Sequence, residues 1–97
     1  MERGRVGTIG AMAIIQMYTS EYCGYCVRAK RLLDRKGVDY EEVHLHLDPD
    51  ARQRLVELTG RWTVPQILVD ERPIGGYDEL KALDDQGRLD EILGLAA

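Results

Sequence analysis

The sequence predicts an α/β fold: a four-stranded mixed sheet flanked by helices, in the order β-α-β-α-β-β-α-α. Three observations predict it. Strand-like and helix-like segments alternate through the first half of the chain, which implies a parallel strand pair joined by a right-handed crossover. Asp70-Glu71-Arg72-Pro73 is a tight turn between two further strand-like segments, which implies an antiparallel hairpin. The only two cysteines, Cys23 and Cys26, fall at the junction of the first strand and the first helix.

Taken in order, Ala13 to Tyr18 reads as the first strand and Val27 to Lys36 as the first helix, with Gly37 its C′ stop. Val38 to Leu47 alternates, with Val43, Leu45 and Leu47 on one face and His44 and His46 on the other, the period of a strand. Asp48 then reads as an N-cap and Pro49 as the first position of a helix running to Thr59. Leu55 and Leu58 mark its buried side, and Gly60 ends it. Gln66 to Val69 is an apolar strand, and a short strand around Ile74 leads into Gly75-Gly76. Asp78 caps a helix through Leu83, and a last short helix spans Leu89 to Leu93. There is no internal repeat and no second domain.

With 97 residues, 44% hydrophobic and 31% charged, the chain is one small domain with enough apolar residues for a core. It has no apolar run of membrane-spanning length, so no membrane partner is expected. The formal charge is −4; Glu2, Arg3 and Arg5 contribute a net +1, so the chain beyond residue 11 carries −5. That balance argues against a nucleic-acid partner. Residues 1–11 are Gly-rich and lack an apolar signal-peptide core, and they read as a flexible N-terminal extension before a domain over 12–97. A reduced, cytoplasmic setting is the default for such a chain.

Cys23-Gly24-Tyr25-Cys26 carries the chemistry. A two-residue spacer keeps two sulfurs close enough to form a disulfide, share a metal or act in turn on one substrate. Placed between a strand and a helix, it is the thioredoxin-like redox arrangement. The first N–H groups of a helix lack intrahelical partners, and the aligned peptide dipoles put partial positive charge there. A thiolate at that place is stabilised: a free cysteine has a pKa of about 8.5, lowered to roughly 3.5–7.5 in such motifs. Cys23 at the cap is the nucleophile, and Cys26, one turn inside, is the resolving thiol. Half of a structural zinc site is the alternative, but no second Cys-x-x-Cys is present.

Three further motifs follow in order: Arg28-Ala29-Lys30, Thr63-Val64-Pro65-Gln66 and Gly75-Gly76-Tyr77-Asp78. With Cys23-Gly24-Tyr25-Cys26 at these separations, the chain from Met12 to Leu95 resembles the class I dithiol glutaredoxins, bacterial glutaredoxin-3-like, with a thioredoxin-like fold. The resemblance implies a glutathione-dependent thiol–disulfide oxidoreductase that reduces protein disulfides and glutathione mixed disulfides. It implies a cis bond at Val64-Pro65, with the Val64 backbone pairing the cysteinyl part of the substrate. It assigns the γ-glutamyl carboxylate to the N–H groups of Tyr77 and Asp78 behind Gly76, and the ammonium group to Asp78. Tyr25, Thr63 and Pro65 complete the groove. The plain readings are a Pro that starts an edge strand and an Asp that only caps a helix.

The chain also departs from the family pattern. Ser20 stands where many members have Lys, Glu57 where many have Gln, and Trp62 where Arg or Thr is frequent. The cation for the glycine carboxylate of glutathione then comes from Arg28, Lys30 or Arg61, with Arg61 for contact and Arg28 for the field that stabilises the thiolate. Tyr22 and Trp62 are candidate extra walls of the groove. Gly24 takes the place of the family's usual Pro. Some plant and animal relatives lacking that Pro bind a [2Fe-2S] cluster between two subunits through the first Cys and two glutathiones. On that reading Cys23 is the metal ligand; otherwise the chain is a monomer without metal. His44 and His46 suggest zinc with the cysteines, but the second strand is expected to lie away from the helix start that presents Cys23.

Overall fold

The computed structural model describes residues 13–95; the extension read over 1–11 lies outside them. The elements are β1 (Ile15–Thr19), α1 (Gly24–Lys36), β2 (Glu41–His44), a 3-10 turn (Leu45–Leu47), α2 (Ala51–Thr59), β3 (Gln66–Val69), β4 (Arg72–Gly75), α3 (Tyr77–Asp85) and α4 (Leu89–Ile92). The sheet order is β2-β1-β3-β4. β1 is parallel to β2 and antiparallel to β3, and β3 is antiparallel to β4.

β1 and β3 are the inner strands, so both of their faces must be apolar. Ile15, Met17, Ile67 and Val69 join Ala29, Leu32 and Leu33 of α1, Leu80 of α3 and Leu89 of α4 in one core cluster. Tyr18 and Leu68 join Ala51 and Leu55 of α2 in a second cluster on the opposite face. Cys26, Ala29, Leu32 and Leu33 recur at helical spacing and form the buried stripe of α1. The helix ends at Gly37, whose φ of 75° suits a residue without Cβ.

Five local expectations change. The second strand stops at His44 instead of Leu47, because its one sheet neighbour, β1, ends at Thr19 opposite His44. Beyond that register no ladder partner remains, and Leu45–Leu47 closes into a 3-10 turn with Leu47 71% exposed. Asp48 is not the N-cap of α2; Asp50 holds that place, while Asp48 accepts from the Asp50 N–H at 3.0 Å and from Arg54 at 2.7 Å. Leu58 is exposed, because the row Ala51, Leu55 faces the sheet and Leu58 lies to one side of it. The hairpin turn is only Asp70-Glu71, both at positive φ, so Arg72 and Pro73 already belong to β4. Asp78 is not a cap either: Gly76 is the N-cap of α3, which runs on to Asp85.

Candidate active site

The C-terminal end of β1 delivers the chain through Ser20–Tyr22 to Cys23, the N-cap of α1. The Cys26 N–H donates to Cys23 Sγ at 3.1 Å, so the sulfur caps the helix in the role that a Ser or Asp oxygen usually takes. Cys23 and Cys26 are joined in a disulfide with Cα atoms 5.2 Å apart. Cys26 is buried at 2% exposure, whereas Cys23 is half-buried. The Val64–Pro65 peptide is cis, and the Val64 carbonyl oxygen lies 4.0 Å from Cys23 Sγ.

A groove of about 230 Å³ opens beside the disulfide. Tyr25, Thr63, Val64, Pro65, Gly76, Tyr77 and Asp78, assigned by resemblance, and Arg61, expected as the cation, all line it. Gln66 and Glu79 line it as well; only the fold brings them in, from the start of β3 and the first turn of α3. The Tyr25 and Tyr77 rings lie 6.1 Å apart, and the Arg28 guanidinium sits 5.2 Å above Tyr25. That places Arg28 two residues past the disulfide with its charge held over the groove wall.

Two glycines are required at the far end. Gly75 has φ 122°, and a Cβ there would meet Glu79 at 2.8 Å; a Cβ on Gly76 would lie 3.0 Å from the Pro65 carbonyl. Their absence lets Glu79 fold back and accept from the Gly76 N–H at 2.7 Å, half of a capping box. That bond is the main reason the Glu79 carboxyl titrates below the usual carboxylate range; Arg61, 3.7 Å away, adds to it.

The other expected groove residues fall elsewhere. Trp62 points away: Arg52 of α2 donates to its carbonyl at 2.5 Å and lies 6.0 Å from its ring, so it packs on α2. Glu57 takes a hydrogen bond from Gln53 at 3.2 Å and does not line the groove. Lys30 is pinned to Glu42 at 2.9 Å on the opposite side of the disulfide. Arg61 is therefore the cation candidate inside the groove.

On that opposite side Cys23 and Cys26 share a second hollow with Ser20, Tyr22, Lys30, Glu42, His44 and His46. The histidines were expected away from the helix start. They are not, because β1 and β2 are parallel and both strand ends arrive at the same edge as the cysteine loop. Among the described residues no group of three or more His, Cys, Asp or Glu is placed to hold a metal ion, so the zinc reading has no site. Glu42 accepts from Thr19 at 2.7 Å and from Lys30, and His44 Nδ1 lies 3.6 Å away. Burial pushes its carboxyl up, but the Lys30 and Thr19 bonds outweigh that and hold it below the ordinary range.

A disulfide across a helix N-terminus, facing a cis-proline loop in this mixed sheet, defines a thiol–disulfide oxidoreductase with a thioredoxin-like fold. Comparison with known proteins narrows the class. The family profile described as glutaredoxin matches residues 15–74. Glutaredoxin 3 of Escherichia coli is 46% identical over 82 residues, which cover 84% of this chain and 99% of that one. The crystal structure of the buckwheat glutaredoxin–glutathione complex superposes with a TM-score of 0.77 at 31% identity, covering 84% of this chain and 76% of that one. The holo form of glutaredoxin C1 from Populus tremula x tremuloides gives 0.77 at 35% identity, covering 88% and 87%. The chain belongs to the glutaredoxin family. Its activity is that of a glutathione-dependent thiol–disulfide oxidoreductase.

Proposed function

We propose that the groove beside Cys23 binds glutathione and that Cys23 exchanges the glutathionyl group with protein thiols. The observation that carries this is the convergence of Val64, the α3 N-terminus and Arg61 in one groove, with the Val64 carbonyl 4.0 Å from the half-buried Cys23 sulfur. The tripeptide has two carboxylates and a cysteinyl backbone between them. The N–H groups of Tyr77 and Asp78, at the start of α3 behind Gly76, suit the γ-glutamyl carboxylate. The Val64 backbone suits the cysteinyl amide, Arg61 suits the glycine carboxylate, and Tyr25, Thr63 and Pro65 form the walls. The buckwheat relative crystallised with glutathione supports the same ligand here.

In the reaction, the Cys23 thiolate attacks the glutathionyl sulfur of a mixed disulfide. A Cys23–glutathione bond forms, the bond to the protein sulfur breaks, and the protein leaves as a thiolate that takes a proton from water. A second glutathione, as thiolate, then attacks the glutathionyl sulfur on Cys23, releasing oxidised glutathione and the Cys23 thiolate. With a protein disulfide, Cys26 attacks the mixed disulfide on Cys23, frees the reduced protein and leaves the Cys23–Cys26 disulfide seen here. Two glutathiones supply the two electrons that reopen it. The α1 N-terminus and Arg28 stabilise the Cys23 thiolate throughout.

The test is turnover of a glutathionylated peptide and of a protein disulfide by each cysteine variant. Cys23→Ser should abolish both. Cys26→Ser should keep deglutathionylation and lose the protein-disulfide route. Equal loss of deglutathionylation in both variants overturns the assignment.

A [2Fe-2S] cluster held between two copies is the second reading. One observation favours it: a Cβ on Gly24 would meet nothing within 4 Å, so the loop beside Cys23 is open. Among the described residues no group of three or more His, Cys, Asp or Glu could hold a metal ion; the resemblance gives the donors as Cys23 of each copy and two glutathiones. Anaerobic reconstitution with iron, sulfide and glutathione should then give visible absorption and a dimer, both lost in Gly24→Pro. A colourless monomer removes this reading. No helix among the described residues is long and apolar enough to cross a membrane. A monomer in the reduced cytosol, acting on disulfide-containing or glutathionylated proteins, is the setting we infer.

A further inference from the structure

The binding scheme above leaves two polar residues of the groove unused, Gln66 and Glu79; Glu79 is exposed and already accepts from the Gly76 N–H, whereas Gln66 is buried. Gln66 opens β3 and is 2% exposed, yet its side chain lines the groove. Its Nε2 donates to Thr63 Oγ1 at 3.2 Å. Its Oε1 has no hydrogen-bond partner, and it is the one buried side-chain polar atom of which this is true among the described residues. Buried acceptors in folded proteins are paired with protein, ordered water or ligand, and an unpaired one weakens the fold. Its position is also defined: Gln66 Nε2 lies 4.0 Å from where a Gly76 Cβ would stand, so the amide sits beneath the backbone that starts α3.

We infer that Gln66 is a specificity-determining residue that reads the ammonium group of the γ-glutamyl end, its Oε1 accepting one N–H bond. The inference rests on the reading of the groove as a glutathione site. In that reading the cysteinyl N–H goes to Val64 and the γ-glutamyl carboxylate to the N–H groups that follow Gly76, so the ammonium is the donor near Gly76. It carries three N–H bonds, and the Asp78 carboxylate can take only part of them. Asp78 is exposed, so water replaces a missing partner there at little cost. At Gln66 water has no such free access. A site whose buried polar group is satisfied by the correct substrate rejects an analogue lacking that donor, because the group is then left unpaired.

The experiment compares kcat/KM for glutathione and for its des-amino analogue, glutaryl-cysteinyl-glycine, in wild type, Gln66→Met and Gln66→Glu. Wild type should prefer glutathione. Gln66→Met, similar in shape but without the acceptor, should shrink that preference about tenfold, within what one hydrogen bond to a charged group supports. Gln66→Glu keeps an acceptor on the same stem and should keep the preference. Because each variant is compared with itself on two substrates, a change in stability cancels from the ratio. Gln66→Met also removes the Nε2–Thr63 bond, so a modest fall in its melting temperature is expected and leaves the ratio unaffected. An unchanged ratio in Gln66→Met overturns the inference. So does equal loss in Gln66→Glu, which would mean that the amide N–H, not its carbonyl, faces the ligand. A wild type that uses both tripeptides equally, but far better than 2-mercaptoethanol, overturns the inference and leaves the groove a glutathione site. A wild type that uses glutathione no better than 2-mercaptoethanol overturns the groove reading itself.

Discussion

Asp78 stands second in α3, after Tyr77 and the N-cap Gly76, and that position separates its two candidate roles. It stands two positions past the cap, inside the helix, and so cannot cap it, while the Glu79 carboxylate takes the Gly76 N–H. What remains for the fold is a negative charge near the positive end of a helix, worth about 0.5 kcal/mol at an exposed site. Asp78→Ala should therefore barely lower the melting temperature. If Asp78 holds the ammonium group of glutathione, KM for glutathione should rise about tenfold for each 1.4 kcal/mol of binding lost. Alkylation of Cys23 by a small reagent, which needs no groove, should keep its rate. An unchanged KM would leave Asp78 without a binding role. The residue type was legible in Gly75-Gly76-Tyr77-Asp78, but its helix position was not. Glycine carries no side chain that signals a cap, and the Gly76 cap depends on Glu79 folding back over Gly75.

At the scale of elements, Glu42 ties β2 to both partners that frame the cysteine loop. It accepts from Thr19 at the end of β1 and from Lys30 in the second turn of α1. Thr19 is 1% exposed, so removing its acceptor leaves a buried hydroxyl with one partner fewer. Glu42→Ala should cost about 1.5 kcal/mol, the lower end for hydrogen bonds to a charged group. On a chain of this size that is a fall of roughly 6–12 °C in melting temperature. The pH dependence follows from the depressed carboxyl of Glu42 in the folded state. The unfolded chain then binds the proton more readily, so the stabilisation is complete above the unfolded value of about 4.3 and is lost as pH falls through the lower folded value. Thermal melts from pH 6 to pH 3 should show the Glu42→Ala difference shrinking in the acid range; a constant difference would refute the role given to the charge. None of this was legible in Glu41-Glu42, where either residue could have faced the sheet's partner helix. The parallel register decides it by setting Gln16 opposite Glu41 and Met17 opposite Glu42.

For the whole molecule, a central sheet separates two apolar layers of unequal size. The larger is closed by α1, α3 and α4, and the smaller by α2. Leu33 is fully buried in the larger layer, whereas Leu58 of α2 is 41% exposed. Leu33→Ala should cost about 2–5 kcal/mol, the transfer term plus the cavity left behind. Leu58→Ala should change stability by about 0.5 kcal/mol or less, as surface substitutions do. Urea unfolding of the two variants gives both numbers, and similar losses would mean that α2 is rotated from the position described. The same apolar spacing in the sequence marked Leu55 and Leu58 equally, since both lie on one helical face. Only the way α2 sits on the sheet, with Ala51 and Leu55 turned toward it and Leu58 to one side, distinguishes them.

By itself the sequence determined the element order, the redox pair and the groove residues carried by Thr63-Val64-Pro65 and Gly76-Tyr77-Asp78. These are local: strand and helix periods, a helix start after Cys23, and short motifs whose residues travel together. Tertiary structure decided what depends on partners distant in the chain. It ended β2 at His44 because β1 ends opposite, and it carried His44 and His46 to the cysteine loop because the two strands are parallel. It turned Trp62 onto Arg52 and away from the groove, and it buried the Gln66 amide between Thr63 and Gly76. The physical reason is common to all four: hydrogen bonding and burial are settled by which backbone lies alongside, and a linear sequence does not state its neighbours.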